Sequence, residues 1–446
     1  MKKYKPFWNE KLEQAVKQRN SARLLYEKDP SPENRTKYRK ISAETKLLTK
    51  SCKQKKWAET CKNLDLRQGG NKAWKLLHNM SGDRRPTNSK PFTDTDNEEL
   101  ISDKKKSEHL NKHFAAVSKS ERKCTLDRGL KKNLKEEERN NKNPTPSIFQ
   151  DNFTMTELEK AMRLLKKNKS PGPDQVHNEM LSNLGTTGKK ALLILYNKTW
   201  TSGKIPKSWK IATITPILKK GKPADQPKSY RPISLLSCIG KLGERLINKR
   251  LYWWLESSQL ISQYQAGFRA KSRTEDQLFR LTQKISDGFQ RKQQTTAIFI
   301  DLQQAYDRIW KTGLLLKMQN MGIKGNLYFW IKSFLNDRLI QTKYNSALSS
   351  KAVQEEGLPQ GSTLSCSLFL IFLNDITNVI KSEKAMFADD LVIWHTDTST
   401  ITSRRRLQED LVSLENYCSF SGSSKLTLAR LSTQSSLEAT RLQSEK

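Results

Sequence analysis

The 446-residue sequence predicts an α+β fold, and three observations carry that prediction. First, Ala385-Met386-Phe387-Ala388-Asp389-Asp390-Leu391-Val392-Ile393-Trp394 sets two acids between apolar, β-prone flanks, the pattern of a hairpin with a polar tip. Second, Ala297-Ile298-Phe299-Ile300 reads as a buried strand that ends at Asp301 and gives way to a helix-compatible segment. Third, amphipathic stretches surround these strands; in Ile239–Glu256, Leu242, Leu246, Leu251 and Leu255 fall close to one helical face.

Taken in order, residues 1–82 read as a basic helical extension. Trp8, Leu12, Ala15 and Val16 recur at helical spacing, and Asp29-Pro30-Ser31-Pro32 interrupts the pattern. A second long helix follows from Glu33 to about Leu66, with Lys53, Lys55 and Lys56 on a basic face. Gln68-Gly69-Gly70-Asn71 turns the chain, and a short helix begins at Ala73-Trp74. A nucleic-acid-contacting arm and a solvated helical hairpin explain this segment equally well.

Residues 83–150 read as a linker, disordered in part, with breaks at Gly82–Pro86 and Asn141–Pro146 and a charge run at Lys131–Arg139. One amphipathic helix crosses it near His109–Val117. His109 and His113 are four apart, but the acid that a zinc protease needs between them is missing, which assigns both to the surface.

From Met155 the pattern firms. A helix begins at Thr156-Glu157-Leu158-Glu159 and ends in the turn Asn168–Asp174, where Asp174 is a structural residue. Ala191–Trp200 is an apolar helix closed by Gly203. Trp209–Leu218 alternates as a strand, turns at Lys219-Lys220-Gly221-Lys222 and returns through Ser229–Leu236. Arg231, Lys219 and Lys220 bring cations to this pair, and Arg bonds phosphate in bidentate fashion; the pair resembles the finger strands of a nucleotide polymerase, which implies a triphosphate role for Arg231 first, then Lys219 and Lys220. The plainer reading makes the lysines a solvated turn. In Ile239–Glu256, Lys249 and Arg250 are placed outward and Trp253 and Trp254 in the core. A helix over Thr274–Gln290 leads into the Asp301 strand. The glycines of Gly357-Leu358-Pro359-Gln360-Gly361-Ser362-Thr363-Leu364-Ser365 allow backbone to approach a ligand closely. Leu368–Leu373 reads as a buried helix that stops at Asn374-Asp375, and Asp375 as its end.

Charge and cysteines bound the function. A formal charge of +35 points to a polyanionic partner, since Lys and Arg displace the counterions condensed on nucleic-acid phosphates. The alternative is a solvated basic surface. Six cysteines include no C-x-x-C pair, which argues against a zinc knuckle and fits a reducing compartment. No secretory signal opens the chain, and no apolar run approaches the roughly 18 residues of a membrane span.

Two acids on a rigid turn, with Asp301 as a third, supply the hard oxygen ligands that divalent cations share with substrate phosphates. A water-exposed turn that merely ends a strand is the bland alternative.

The motifs FIDLQQAYD (299–307), GLPQGSTLS (357–365) and FADD (387–390), in that order, with KSPGPD (169–174) and QAGFR (265–269), resemble a reverse transcriptase. The match is with non-long-terminal-repeat (non-LTR) retrotransposons of the jockey-like, LINE type, from about residue 160 to 415. The resemblance implies a right-hand polymerase with fingers over 151–296 and palm over 297–418. It implies an RNA-directed DNA polymerase that adds dNTPs to a DNA primer 3′-hydroxyl on an RNA template, by two-metal phosphoryl transfer with Mg²⁺ or Mn²⁺. Asp301, Asp389 and Asp390 become catalytic carboxylates and metal ligands, joined by the Leu302 carbonyl. Tyr306 closes the pocket under the sugar, Gln360 and Gly361 touch the nucleotide, and Gly267, Phe268 and Arg269 lie beside the template. Asp307 is a helix or turn partner.

Departures from the family also shape the expectation. Cys366 stands where the family usually has Pro. After Tyr417 the expected strand and Lys-Thr phrase have no counterpart, so 419–446 reads as a divergent, disordered tail and the thumb as missing. No endonuclease pattern precedes the polymerase. The chain is therefore expected to be a truncated piece, intracellular, in cytoplasm or nucleus, with no membrane partner. The rival reading is a catalytically inactive relic that only binds nucleic acid. A mobile-intron or telomerase-like polymerase is disfavoured, because no maturase-like or telomerase-specific segment is present.

Overall fold

A computed structural model describes residues 7–62, 92–93, 99–100, 102–119, a few positions between 129 and 138, and 146–302, 304–421 and 426–433. The turn at Gln68–Asn71, the short helix from Ala73, part of the charge run at Lys131–Arg139 and residues 434–446 lie outside them. The chain divides into two compact units, Met1–Ser89 and Lys90–Lys446.

In the first unit, α1 (Glu10–Lys28) starts at Asn9, whose side chain accepts from the Leu12 amide. Helix α2 (Pro32–Lys62) begins with a proline, which fits the first helical position because no intrahelical N–H is lost there. The two run antiparallel: Tyr26 stacks on Tyr38 at 6.2 Å, and Thr45 Oγ1 donates to the Ala15 carbonyl. Leu24, Leu47 and Trp57 are exposed.

The second unit holds two larger sheets joined by helices, and a two-stranded pairing of Phe92–Thr93 with Glu99–Leu100. Helix α3 (Asp103–Val117), α4 (Met155–Arg163) and α5 (Thr186–Ser202) precede the strands of both larger sheets. A capping box fixes the start of α4, with Thr154 and Glu157 satisfying each other's backbone amides. Gly203 closes α5 at φ +60°. Strands β1 (Ile211–Leu218) and β2 (Tyr230–Leu235) then form the expected antiparallel pair around the lysine turn. Helices α6 (Cys238–Ser257) and α7 (Thr274–Gln290) lead to β3 (Gln294–Leu302). After α8 (Lys311–Asn320) and α9 (Gly325–Leu335), β4 (Arg338–Tyr344) lies parallel to β1, and β5 (Ala352–Gln354) pairs with β4. The buried α10 (Ser365–Leu373) precedes the hairpin β6 (Glu383–Phe387) and β7 (Asp390–Asp397), then α11 (Thr400–Ser421) and β8 (Leu426–Thr433).

The site sheet has the order β8-β3-β7-β6 and is covered on both faces. Ile298, Ile300, Leu302, Leu391 and Ile393 enter the main core with α5, α6 and α8–α10. The alternate residues Ala297, Phe299, Val392 and Trp394 join Leu281 and Ile285 of α7. Two-sided burial explains why β3 and the apolar part of β7 read as unbroken apolar runs rather than as alternation.

Several expectations change. Arg250 does not face out: it is 6% exposed, and its guanidinium bonds Glu157 and the carbonyls of Ile148, Asp151 and Asn152. Trp253 is 53% exposed, whereas Trp254 packs edge-on against Phe149. Helix α3 is more than a crossing within a linker. Leu110 and Phe114 pack on Ala212, Ile214 and Ile340 of the second sheet, and Asn111 bridges Thr342 and Ser350. Part of the stretch read as a disordered tail is a strand, since β8 pairs with β3 from Leu426↔Leu302 to Thr433↔Thr296. The Leu-Thr-Leu-Ala-Arg-Leu alternation at 426–431 supports that strand, although the Ser- and Leu-rich composition masked it. Among the described residues no helix is long and apolar enough to cross a membrane.

Candidate active site

The ladder between β3 and β7 sets Asp390 directly opposite Asp301. Facing residues in an antiparallel pair project to the same side of the sheet, and like charges so placed are destabilising. By the strand alternation both acids share the α7 face, at the end of the sheet, where both are exposed. Asp389 sits beside them in the two-residue turn after Phe387, which pairs with Asp390. Asp389 is raised above the usual carboxylate range by burial and by the charge of Asp301. Asp390, though exposed, is raised by partial desolvation of its carboxylate and by the charges of Asp389 and Asp301. Three mutually repelling carboxylates with hard oxygen donors fit divalent cations such as Mg²⁺ or Mn²⁺. Among the described residues they do not form a group arranged to hold a metal ion by themselves.

A cleft of about 1210 Å³ extends from Asp301 and Asp389 to the second sheet; Asp390 does not line it. Its lining brings together Asp301, Leu302, Tyr306, Gln360, Gly361 and Asp389 with Lys219 and Arg231. Lys220 is exposed on the same turn but does not line the cleft, and the Lys219 ammonium donates to the Lys228 carbonyl. His113 lines the cleft too, which corrects its assignment to the surface; burial and the charges of His109 and Lys219 lower its pKa. The sequence signal for His113 was its place in the apolar register of α3, one residue before Phe114. The His-x-x-x-His spacing drew attention to zinc instead.

The Gly357–Ser365 loop is held from three sides, the first being the 306–309 segment, whose Ile309 and Tyr306 carbonyls accept from the Gly357 and Leu358 amides. The Ser234 amide of β2 donates to the Gln360 carbonyl. Ser362 Oγ and the Thr363 amide donate to Glu244, a buried carboxylate of α6. Gly361 has φ +134°, and a Cβ there would lie 2.6 Å from the Ser234 oxygen. Tyr306 stacks on Phe369 at 4.5 Å and places its hydroxyl 3.9 Å from Cys366 Sγ.

The Gly267–Arg269 segment, expected beside template, makes close contacts within the protein. A Cβ on Gly267 would lie 2.1 Å from the Ala388 nitrogen, so the close approach that glycine permits is to the catalytic hairpin. Phe268 meets the rings of Tyr306 and Phe369 edge-on, at 6.3 Å from each. Arg269 pairs with Glu256 at 2.7 Å and also donates to the Ser262 and Gln265 carbonyls, because Glu256 ends α6 within its reach. None of the three lines the main cleft.

Residues 217–428 match the family described as "Reverse transcriptase (RNA-dependent DNA polymerase)". The chain is 36% identical over 270 residues to the "Probable RNA-directed DNA polymerase from transposon BS" of Drosophila melanogaster, covering 59% of this chain and 30% of the relative. It is 32% identical over 272 residues to the "RNA-directed DNA polymerase from mobile element jockey" of the same species, with the same coverage. A third relative there, the "Probable RNA-directed DNA polymerase from transposon X-element", is 30% identical over 258 residues, 58% of this chain and 28% of the relative. The chain thus spans only about 30% of the length of the relatives it matches.

Proposed function

We propose, from the premise that residues 217–428 are a reverse-transcriptase domain of the non-LTR retrotransposon kind, that this chain copies RNA into DNA by adding dNTPs to a primer 3′-hydroxyl. The observation that carries the proposal is that Asp301, paired across the sheet with Asp390, and Asp389 line one cleft with Lys219 and Arg231. Like charges set opposite each other carry a cost in stability, which a bound divalent cation would relieve.

Phosphoryl transfer asks the protein mainly for alignment and charge stabilisation. Asp301, Asp389 and Asp390, with the Leu302 carbonyl, are the oxygens that would hold Mg²⁺ or Mn²⁺. The chemistry such cations supply is neutralisation of charge at the attacking 3′-oxygen and the leaving pyrophosphate. Arg231 and Lys219 hold the triphosphate, and Lys220 adds charge at the rim. Tyr306, backed by Phe369, floors the sugar site and disfavours a 2′-hydroxyl. Gln360 and Gly361 shape the wall against which the nucleotide lies.

Primer extension on an RNA template, with dNTPs and Mg²⁺ or Mn²⁺, tests this reading. Asp301→Ala and Asp389→Ala should each lower extension by roughly 10³-fold, the scale of losing one preorganised electrostatic element. Primer–template binding should survive in both. A folded parent that binds primer–template but does not extend it would overturn the polymerase and leave a nucleic-acid-binding relic. Equal extension by parent and variants would show that the acids are misplaced.

A further inference from the structure

We propose that Gln265 is a positioning residue for the catalytic turn, holding Ala388 in the left-handed conformation that aims Asp389; this rests on the polymerase reading above. Ala388 has φ +57°, a region that costs a non-glycine residue on the order of 1 kcal/mol or more. Two-residue hairpin turns with positive φ at the first central position normally carry glycine there. An alanine in this place needs something outside the hairpin to hold it.

Gln265 supplies that hold. Its Oε1 accepts from the Ala388 amide at 2.9 Å and from the Gly267 amide at 2.7 Å. Its Nε2 donates to the Ala388 carbonyl at 3.1 Å. One carboxamide therefore satisfies both backbone groups of the strained residue, as a neighbouring strand would. The backbone around it docks in the same way: the Met386 amide donates to the Tyr264 carbonyl, and the Ala266 amide to the Met386 carbonyl. Gln265 is 6% exposed, so its side chain is not available to read template. Arg269, bonded to Glu256 and to the Ser262 and Gln265 carbonyls, anchors the far end of the same segment. The segment 264–269 is thus a scaffold for the hairpin.

Two substitutions separate this role from general packing. Gln265→Leu removes all three side-chain bonds. Gln265→Glu keeps the shape and the acceptors but loses the donor to Ala388. Hydrogen exchange of the peptide spanning 385–392 reads the turn directly, without activity. Exchange at Ala388 should quicken at least about tenfold in Gln265→Leu, one decade being about 1.4 kcal/mol of local opening. In extension assays kcat should fall roughly 10- to 100-fold in Gln265→Leu, and less in Gln265→Glu, with primer–template Kd within about twofold of the parent. Adding Ala388→Gly to Gln265→Leu should recover part of the lost kcat, since glycine takes positive φ without help. Unchanged exchange in folded Gln265→Leu would overturn the proposal. So would loosened exchange with undiminished kcat, or a Kd that weakens by the same factor as activity. An inactive parent whose turn still loosens in Gln265→Leu would sink the polymerase reading and leave the clamp standing.

Discussion

Asp307 follows Tyr306 in sequence, and its two carboxylate oxygens each accept from Gln360 Nε2 at 3.1 Å. Burial raises it from the ordinary 3.8 to about 6, while Gln360 and the charge of Lys219 pull it partly back. A folded-state pKa above the unfolded value makes the ionised form the unfavourable one. Stability from this group is fully present below the unfolded value and declines as pH rises through about 6. Asp307→Asn keeps an oxygen for Gln360 and removes the buried charge. It should stabilise the protein at pH 7.5 by ~2 kcal/mol, after discounting for partial exposure, and by nothing below pH ~4. Thermal melts across that range check the prediction, and a pH-independent difference would sink it. The sequence marked Asp307 as a turn partner, which its amide bond to the Gln304 carbonyl supports. It gave no sign of the link to Gln360, because the two are 53 residues apart.

Among the elements, α6 depends on one inward cation. Arg250 stacks over Phe153 at 4.1 Å while tying α6 to the 148–157 segment through Glu157 and three carbonyls. Arg250→Ala would strand these acceptors in a dry place. Unfolding by urea should show a loss of ~3–5 kcal/mol, the scale of breaking a buried ion pair from one side. A loss under ~1 kcal/mol would mean that water replaces the guanidinium. Periodicity made α6 itself legible but placed Arg250 outward by residue type, since long charged side chains are seldom fully buried. The strands bearing Asp301 and the Asp389-Asp390 pair were legible for the opposite reason, as short apolar runs that each stop at an acid. Their register was not, because pairing is settled by tertiary packing. Strand β8 and the docking of α3 were missed where composition outweighed pattern.

For the whole molecule, the formal charge of +35 is the dominant long-range property. Primer–template affinity should therefore fall about 10³-fold or more between 50 and 200 mM salt, as expected when six or more phosphates are neutralised. Fluorescence anisotropy over that range measures the slope, and a flat response would remove the electrostatic argument for a polyanion. Replacing Lys53, Lys55 and Lys56 of α2 by Gln decides between the two readings of the basic extension. A shallower slope, by up to ~0.7–0.9 for each phosphate that a lysine no longer neutralises, makes it part of the nucleic-acid track. An unchanged slope makes it a solvated hairpin.

The parallel pairing of β1 with β4 has a temporal meaning. Thr213 and Gln341 bond across that pair although 128 residues separate them. The ribosome must therefore deliver α6, α7, the whole of β3 and α8–α9 before the second sheet can close. Closing so long a loop carries an entropic cost, and chains rich in such distant pairings fold slowly. A nascent chain halted just after Asp301 would carry the first carboxylate yet have neither sheet complete, so the cleft is completed late.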